Sequence, residues 1–586
     1  MTSLEGFRRR QRFFLVLLLA GLGMVAARLY QLQVTPNPLT LSRAKRQYAK
    51  SVPIQPQRGT IMDRRSRTLA LSVLADSIFV RPAALARPTV AARLLSKILT
   101  LPEPELRKKL TSGKPFVWLR RQSTPEEAKR VRELNLAGVA AVPEGKRHYP
   151  KGPLAGHLLG FVGIDNKGLE GLEYAFDPYL RGLPGTIRVS RDGRGRNLYP
   201  LEILQRPPRK GADVVLTIDE AVQYFAETAL GRAVESTRAR SGTALVLEPE
   251  TGRVLALAVS PPFNPNRFRT DSPGMRGIPG ITTVFEPGST FKIATMAAYL
   301  ETRGGSPADT FDCRKGRFRV AGRKIRDARP YGILTVARIL EVSSNICTIR
   351  IAQRVGAANL HRTIRLLGFG ASTRSGLPAE SPGLVRPVNQ WTRSSIGAAP
   401  LGQEVSVTAL QVALAYGAVA NGGYLMRPRI VREIRDQGAS LRVFAPKIVR
   451  RAMSARTART LRKMLTGVVQ RGTGRAAKPR GYSAAGKTGT AQQIDPATRA
   501  YSKDRYVASF VGFTPAERPK VVIFVSIDHP KTRISGGAVA APVFREIAEK
   551  TLRYLRVPPR RARRIRASSP SAPSAGEAAS ARSGRG

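Results

Sequence analysis

Cysteine and histidine are scarce in this chain: among 586 residues there are two cysteines, Cys313 and Cys347, and four histidines, His148, His157, His361 and His529. None stands in Cys-x-x-Cys or His-Glu-x-x-His spacing, so the sequence offers no structural zinc site, no haem attachment and no disulfide framework; metal and cofactor are both expected to be none. The two cysteines can pair in an oxidising compartment or lie apart as small buried residues; sequence does not give their separation, the second reading is the simpler, and neither assigns them a role. Acidic residues are also few. Asp and Glu number 40 against 98 Lys and Arg, a formal charge of +58 that attracts any polyanion: nucleic acid, anionic lipid headgroups or an acidic wall polymer. Long apolar runs are missing everywhere but the first residues, which excludes a polytopic membrane protein. A chain that is 42% hydrophobic and 24% charged is still mostly globular, and its length allows several domains.

The one apolar run is informative. Arg8, Arg9, Arg10 and Arg12 precede an uncharged stretch from Phe13 to Ala27, continued past Arg28 by Leu29, Tyr30, Leu32 and Val34. Residues 13–34 as a helix reach roughly 33 Å, the thickness of a hydrocarbon core, and the basic cluster holds the N-terminus in the cytoplasm. A cleaved signal peptide is the competing reading, but Ala26-Ala27 runs straight into Arg28 and offers a poor small-x-small site. The expectation is a single-pass inner-membrane protein whose remaining residues lie in the extracytoplasmic space, which removes nucleic acid as a partner.

Residues 35–210 read as irregular α+β. Thr124-Pro125-Glu126-Glu127 predicts a capped helix start, Val117–Leu119 and Val139–Val142 predict short strands, and the Arg-, Gly- and Pro-rich stretch between 190 and 210 reads as a connection between domains. From 211 the pattern is regular. Val214–Leu216 predicts a strand; Thr217-Ile218-Asp219-Glu220 predicts a capping box opening a helix with Val222, Phe225, Ala226, Ala229, Leu230 and Ala233 on one face. Ala244–Leu247 and Val254–Leu257 predict a hairpin, Val507–Phe513 and Val521–Ile527 two late strands with the second mid-sheet, and Phe544–Leu555 a terminal helix. Strands at both ends with helices between them imply an α+β sandwich whose antiparallel sheet joins the two ends of the segment. After Val557 come seven arginines and one glutamate amid Ser, Ala, Pro and Gly, a disordered basic tail suited to weak adhesion to anionic lipid or wall polymer.

Chemistry is suggested by three short elements in order. In Glu286-Pro287-Gly288-Ser289-Thr290-Phe291-Lys292 a nucleophilic hydroxyl stands at the start of a helix, with an amine one turn on and on the same face, and the helix N-terminus offers N–H groups to developing negative charge. Ser343-Ser344-Asn345 and Lys487-Thr488-Gly489-Thr490 follow. A competing motif overlaps the last of these: Gly481-Tyr482-Ser483-Ala484-Ala485-Gly486-Lys487-Thr488 fits the P-loop pattern, with Val521–Asp528 imitating an apolar strand ending in a metal-binding carboxylate. A P-loop requires a buried strand before it and a helix after it. Here Arg475–Arg480 precedes, and Gly489 and Pro496 follow, so a nucleotide is not expected.

Ser-x-x-Lys, Ser-x-Asn and Lys-Thr-Gly in this order resemble the penicillin-binding proteins and serine β-lactamases. Arg58-Gly59-Thr60-Ile61-Met62-Asp63-Arg64, Arg147-His148-Tyr149-Pro150 and Gly168-Leu169-Glu170 resemble the signatures of the N-terminal domain of class B penicillin-binding proteins, and with Leu216–Asp219, Gly536-Gly537 and Ala541–Phe544 the resemblance covers approximately residues 10–557. One departure is that Arg65-Ser66-Arg67 stands where the family often has Gly, which leaves the tightness of that turn open.

The resemblance implies an α+β fold: a penicillin-binding, serine β-lactamase-like transpeptidase domain with an antiparallel sheet over 211–557, preceded by an irregular α+β pedestal or dimerisation-type domain over 35–210, a transmembrane helix over 13–34 and a cytoplasmic stub over 1–12, and followed by the tail at 558–586. It implies a peptidoglycan D,D-transpeptidase in which Ser289 attacks the penultimate D-Ala of a stem peptide and Lys292 takes its proton. Ser343 relays that proton, Asn345 orients Lys292 and holds substrate amide, and Lys487, Thr488 and Thr490 receive the substrate carboxylate. Gly489 permits close approach, and the N–H groups of Ser289 and Thr490 form the oxyanion hole. Whether the lysine or the serine relay is the immediate base stays open. β-Lactams are implied as inhibitors, and a membrane-embedded glycan polymerase with other division proteins as partners. Thr-Phe between Ser289 and Lys292, together with Ser-Ser-Asn and Lys-Thr-Gly-Thr, looks more like the division branch than the elongation branch, and the absence of repeated C-terminal wall-binding modules disfavours the sporulation type. A D,D-carboxypeptidase would use the same triad, whereas a secreted β-lactamase would lack residues 1–210. No acidic glycosyltransferase motif stands in 35–210, and a non-catalytic envelope scaffold would not need the intact triad.

Overall fold

The computed structural model describes residues 3–34, 49–191, 197–271, 276–302, 304–495, 497–498 and 500–560. Helix α1 (Ser3–Val34) contains, over Gly6–Val34, the one helix among the described residues long and apolar enough to cross a membrane. The basic tail expected from 558 lies outside them after residue 560. Arg560 itself is held, its N–H donating to Gly481 O at 2.8 Å and its guanidinium 3.2 Å from Glu517.

The N-terminal region is built from β1 (Ala49–Ile54), β2 (Ile61–Met62), β3 (Thr68–Val80), helices α2 (Pro88–Leu99) and α3 (Glu103–Leu110), β4 (Val117–Arg120), α4 (Pro125–Glu133) and β5 (Val139–His148). The capped start of α4 is as expected, Thr124 and Glu127 exchanging side-chain-to-backbone bonds. The stretch expected to be a connection is different: β6 (Gly185–Arg191) and β7 (Asn197–Arg206) pair as a hairpin and continue into β1. Arginine and glycine content suggested a linker; β6 instead pairs with β7 on one side and β1 on the other. Residues 192–196 between them lie outside the described set.

Arginines from two of the signatures of this region converge on one carboxylate, Glu173. Buried Arg58 bonds Glu173 at 2.6 Å and Asp177 at 2.5 Å, and Arg147 reaches the other oxygen of Glu173 at 2.6 Å. The turn after the first signature is tight despite its lack of glycine: Ser66 takes φ +63°, and Asp63 accepts the N–H groups of Arg65 and Arg67. Gly59 permits the close approach that follows, since a Cβ there would meet Ala212 O at 2.0 Å.

Strand β8 (Asp213–Leu216) begins the C-terminal region. It pairs in parallel with β2 on one side and antiparallel with β13 (Val431–Asp436) on the other, giving the order β14–β13–β8–β2–β3–β4, with β14 (Ala439–Val443) at one edge and β5 pairing β3. Helix α5 (Glu220–Ser236) follows, but the expected capping box is corrected. The cap is Asp219, which accepts from Ala221 and Val222, whereas the Thr217 hydroxyl lies 2.8 Å from Val254 O and 2.7 Å from Arg429 O. Thr217, just past the end of β8, keeps its N–H on the strand side, donating to Ile430 O.

The main sheet has the order β10–β9–β17–β16–β15, all antiparallel: β9 (Ser241–Leu247), β10 (Val254–Ser260), β15 (Ala485–Ile494), β16 (Tyr501–Thr514) and β17 (Val521–Asp528). The second late strand is therefore mid-sheet, as its continuous apolar run implied. α5 and α10 (Gly536–Tyr554) cover one face. On the other face lies α9 (Ala409–Ala420), every residue of which is buried. Such a helix, hydrophobic all round, belongs at the centre of a large core.

The cysteines are corrected too: Cys313 and Cys347 form a disulfide, with Cα atoms 5.0 Å apart. The simpler reading of two separate buried residues failed because Cys313 N–H, donating to Gly332 O, folds the intervening segment back on itself. The bridge closes a sequence separation of 34 residues, a loop whose removal from the denatured ensemble is worth about 3–4 kcal/mol. Replacing both cysteines by serine is expected to lower the denaturant-derived unfolding free energy by that order. An unchanged midpoint and slope would show that the cross-link contributes nothing.

Candidate active site

Ser289, the candidate nucleophile, stands on a single 3-10 turn, Gly288–Phe291, which runs directly into α6 (Lys292–Glu301). Gly288 has φ +53°, and the turn is anchored from below by Tyr416 of α9, whose hydroxyl donates to Thr290 O at 2.9 Å. Ser289 is half-buried, while Lys292, one turn further, is fully buried. The second element caps a helix. Ser343 has φ +62° at the end of α7 (Val336–Val342), and Ser344 is the N-cap of α8 (Asn345–Val355), accepting from Cys347 N–H. The third element lies within β15, in register with Val511, Phe510, Ser509 and Ala508 of β16.

These elements meet. Ser343 Oγ is 3.1 Å from Ser289 Oγ, 3.2 Å from Lys292 Nζ and 3.0 Å from Lys487 Nζ. Lys292 Nζ also donates to Ser343 O at 2.7 Å and to Asn345 Oδ1 at 2.8 Å. Gly489 lies against the turn that carries Ser289, where a Cβ would meet Ser509 Oγ at 2.3 Å and Thr290 Cγ2 at 2.9 Å. Thr488 Oγ1 is 2.8 Å from Thr473 Oγ1, and exposed Thr490 accepts Gly536 N–H at 3.1 Å. All eight residues singled out by the sequence thus lie in one constellation. Lys487 and Thr488 stand on a strand, with no buried strand before Gly481 and no helix after, so the P-loop pattern has no P-loop geometry.

Burial sets the electrostatics. Removal from water pushes Lys292 down to about 7, with Asp327 pulling the other way. Lys487 is pushed well below its ordinary value by its burial and then by the neighbouring Lys292. With two N–H groups directed at Ser343 O and Asn345 Oδ1, a neutral Lys292 keeps a lone pair for the Ser343 hydroxyl.

Two residues were missed from sequence. Asp327, directly after β12 (Arg323–Arg326), which pairs with β11 (Arg317–Val320), accepts Asn345 N–H at 2.5 Å, Ile346 N–H at 3.2 Å and the Ser344 hydroxyl at 2.6 Å. It fixes the N-terminus of α8. Thr473 is the other, beside Thr488. Neither stands at a recognisable spacing from the three elements.

Residues 242–549 match the penicillin binding protein transpeptidase domain, and residues 53–216 match the penicillin-binding protein dimerisation domain. The chain is a class B penicillin-binding protein. Among its relatives are stage V sporulation protein D of Bacillus subtilis, 32% identical over 94% of this chain and 87% of the relative, and the peptidoglycan D,D-transpeptidase FtsI of Escherichia coli, 32% identical over 92% and 91%. Among solved structures, penicillin binding protein 3 of Mycobacterium tuberculosis, complexed with aztreonam, superposes on this penicillin-binding protein with a TM-score of 0.68 at 30% identity, covering 87% of this chain and 98% of that one.

Proposed function

We propose that this chain is a peptidoglycan D,D-transpeptidase that cross-links stem peptides through a Ser289 acyl-enzyme, releasing terminal D-Ala, in septal wall synthesis. The observation that carries the chemistry is the Ser343 hydroxyl shared by Ser289, Lys292 and Lys487. Ser289 gives its proton through Ser343 to neutral Lys292 as its oxygen attacks the carbonyl of the penultimate D-Ala. The tetrahedral oxyanion is held by the N–H groups of Ser289 and Thr490. Collapse breaks the bond to terminal D-Ala, whose amine takes the proton back through Ser343. An amine of a second stem then attacks the ester and restores Ser289. Asn345 orients Lys292 and substrate amide, while Lys487, Thr488 and Thr490 hold the terminal carboxylate. β-Lactams acylate the same serine.

The relatives named as peptidoglycan D,D-transpeptidases support this reading over a carboxypeptidase, and the likeness to FtsI supports the septal role over the elongation role. Residues 13–34 serve as a single-pass anchor with the N-terminus in the cytoplasm, and with the 35–210 domain they dock on a membrane-embedded glycan polymerase. The full chain in detergent should release one D-Ala per cross-link formed from uncross-linked pentapeptide strands and stop when penicillin is added. D-Ala release without cross-links would make it a carboxypeptidase. Exchanging residues 13–34 for an unrelated spanning helix should spare acylation by penicillin but impair septation; full complementation would reduce the helix to a tether.

A further inference from the structure

Away from the catalytic residues, a cavity of about 290 Å³ lies where the two regions meet, and its charge is one-sided. Arg374, Arg427, Arg429, Arg442 and Lys447 line it, and no acidic side chain does. Among the described residues none of the five has a carboxylate within ion-pair distance. The floor is apolar, with Leu172 and Phe176 from the N-terminal region and Phe444 from the C-terminal region.

Arg429 is the telling member. It is 8% exposed, donates from Nη1 to Phe444 O, and leaves Nε and Nη2 without an acceptor. Its cation is disfavoured by burial and by neighbouring Arg253. The carboxylate acting on it, Glu248, is already engaged by Arg253 at 3.4 Å and by Thr251. A buried guanidinium with orphaned donors costs stability unless something accepts from it. Around it, Arg427 Nε reaches only Arg374 O, and Arg442 lies over the Phe444 ring and meets the Tyr179 hydroxyl. The side chains of Arg374 and Lys447 make no hydrogen bond among the described residues.

We propose that this cavity binds a phosphate-bearing anion. One carboxylate would bring a single charge and two oxygens to five cations, whereas a phosphate group brings at least that charge and, with its ester oxygens, four acceptors, and guanidinium forks match its edges. The volume suits a headgroup or one phosphodiester unit rather than a long polymer segment. Three sources share that chemistry: a phospholipid headgroup, a phosphodiester of an anionic wall polymer, and a free phosphate or pyrophosphate. The site is independent of the reaction at Ser289.

The test uses the full chain in detergent micelles, with inorganic pyrophosphate as the probe and sodium chloride at equal ionic strength as its control. Pyrophosphate should raise the melting temperature beyond the chloride effect, because a ligand that binds only the folded state stabilises it. Arg427→Ala with Lys447→Ala, both exposed, should abolish that rise and weaken calorimetric affinity about tenfold or more, the order for losing two charge-assisted contacts. Removing two cations elsewhere, Arg456→Ala with Lys463→Ala, should leave it intact. Arg429→Met should lose the response while melting no lower without anion, because an apolar side chain there has no orphaned donors. Labelling by fluorescent penicillin should be unchanged in all three. Displacement of pyrophosphate by polyglycerol phosphate assigns a wall polymer, and by phosphatidylglycerol vesicles a lipid headgroup; displacement by neither assigns the free anion. No response in the wild type, an intact response in the Arg427/Lys447 variant, or an equal loss in the Arg456/Lys463 control would each overturn the proposal.

Discussion

Fluorescent penicillin is expected to label the wild-type chain once and Ser289→Ala not at all, and the acylation rate of Lys292→Arg is expected to fall by about 10²- to 10⁴-fold, the usual worth of a positioned general base. Guanidinium keeps its proton at any working pH, so the variant retains charge and loses basicity. The wild type should show the counterpart as a pH profile. With Lys292 near 7, the acylation rate should rise about tenfold per pH unit below that value and level off above it, as the neutral amine accumulates. Stability should follow in the same direction: between about 7 and 10.5 the unfolded chain carries a proton on Lys292 that the native chain has shed, so the native state gains as pH rises through that window. A rate flat across neutrality, or an arginine variant within tenfold of wild type, would remove Lys292 from the role of base.

Asp327→Ala is expected to slow acylation by about 10- to 100-fold, equivalent to roughly 1.4–2.7 kcal/mol of barrier. Asp327 touches neither Ser289 nor a lysine amine in any hydrogen bond; it is a positioning residue that holds Ser344, Asn345 and Ile346. Losing such a cap commonly costs about 0.5–2 kcal/mol, and here the freed segment carries Ser343 and Asn345. Asp327→Asn should recover part of the loss through its amide oxygen. The pH profile separates positioning from mere destabilisation: Asp327 raises the pKa of Lys292, so either neutral replacement should move the acylation midpoint to lower pH. A slowed variant with an unmoved midpoint would leave Asp327 a structural cap only.

The three candidate elements were legible because each begins a unit of regular structure: a turn into a helix, a helix cap and a strand. Local pattern therefore carried both their chemistry and their setting. The central position of β17 was legible for a related reason, since a strand buried on both faces must be apolar throughout. What escaped depended on distant pairing. Thr217 and Asp219 both suit an N-cap by letter, and only Ile430, far along the chain, decides which one serves. Arginine-rich β6 and β7 resemble a linker until β1 lies beside them. Cys313 and Cys347 are brought together by a fold-back that no local signal announces, and Asp327 is one acidic residue among arginines until α8 arrives beside it. The departure at Arg65-Ser66-Arg67 weakened nothing, because the Asp63 carboxylate supplies the turn with acceptors.

Strand β8 is flanked on both sides, by β2 from before it and β13 from far after it. A chain cut just before residue 211 would strip β2 away and leave Val214 and Val215, both fully buried, along a bare strand margin. Such margins recruit other strands and invite aggregation. The N-terminal region thus also covers, through a strand of two residues, an edge that would otherwise stand open to other strands. A lineage that shed the first 210 residues would first have had to protect β8 by other means.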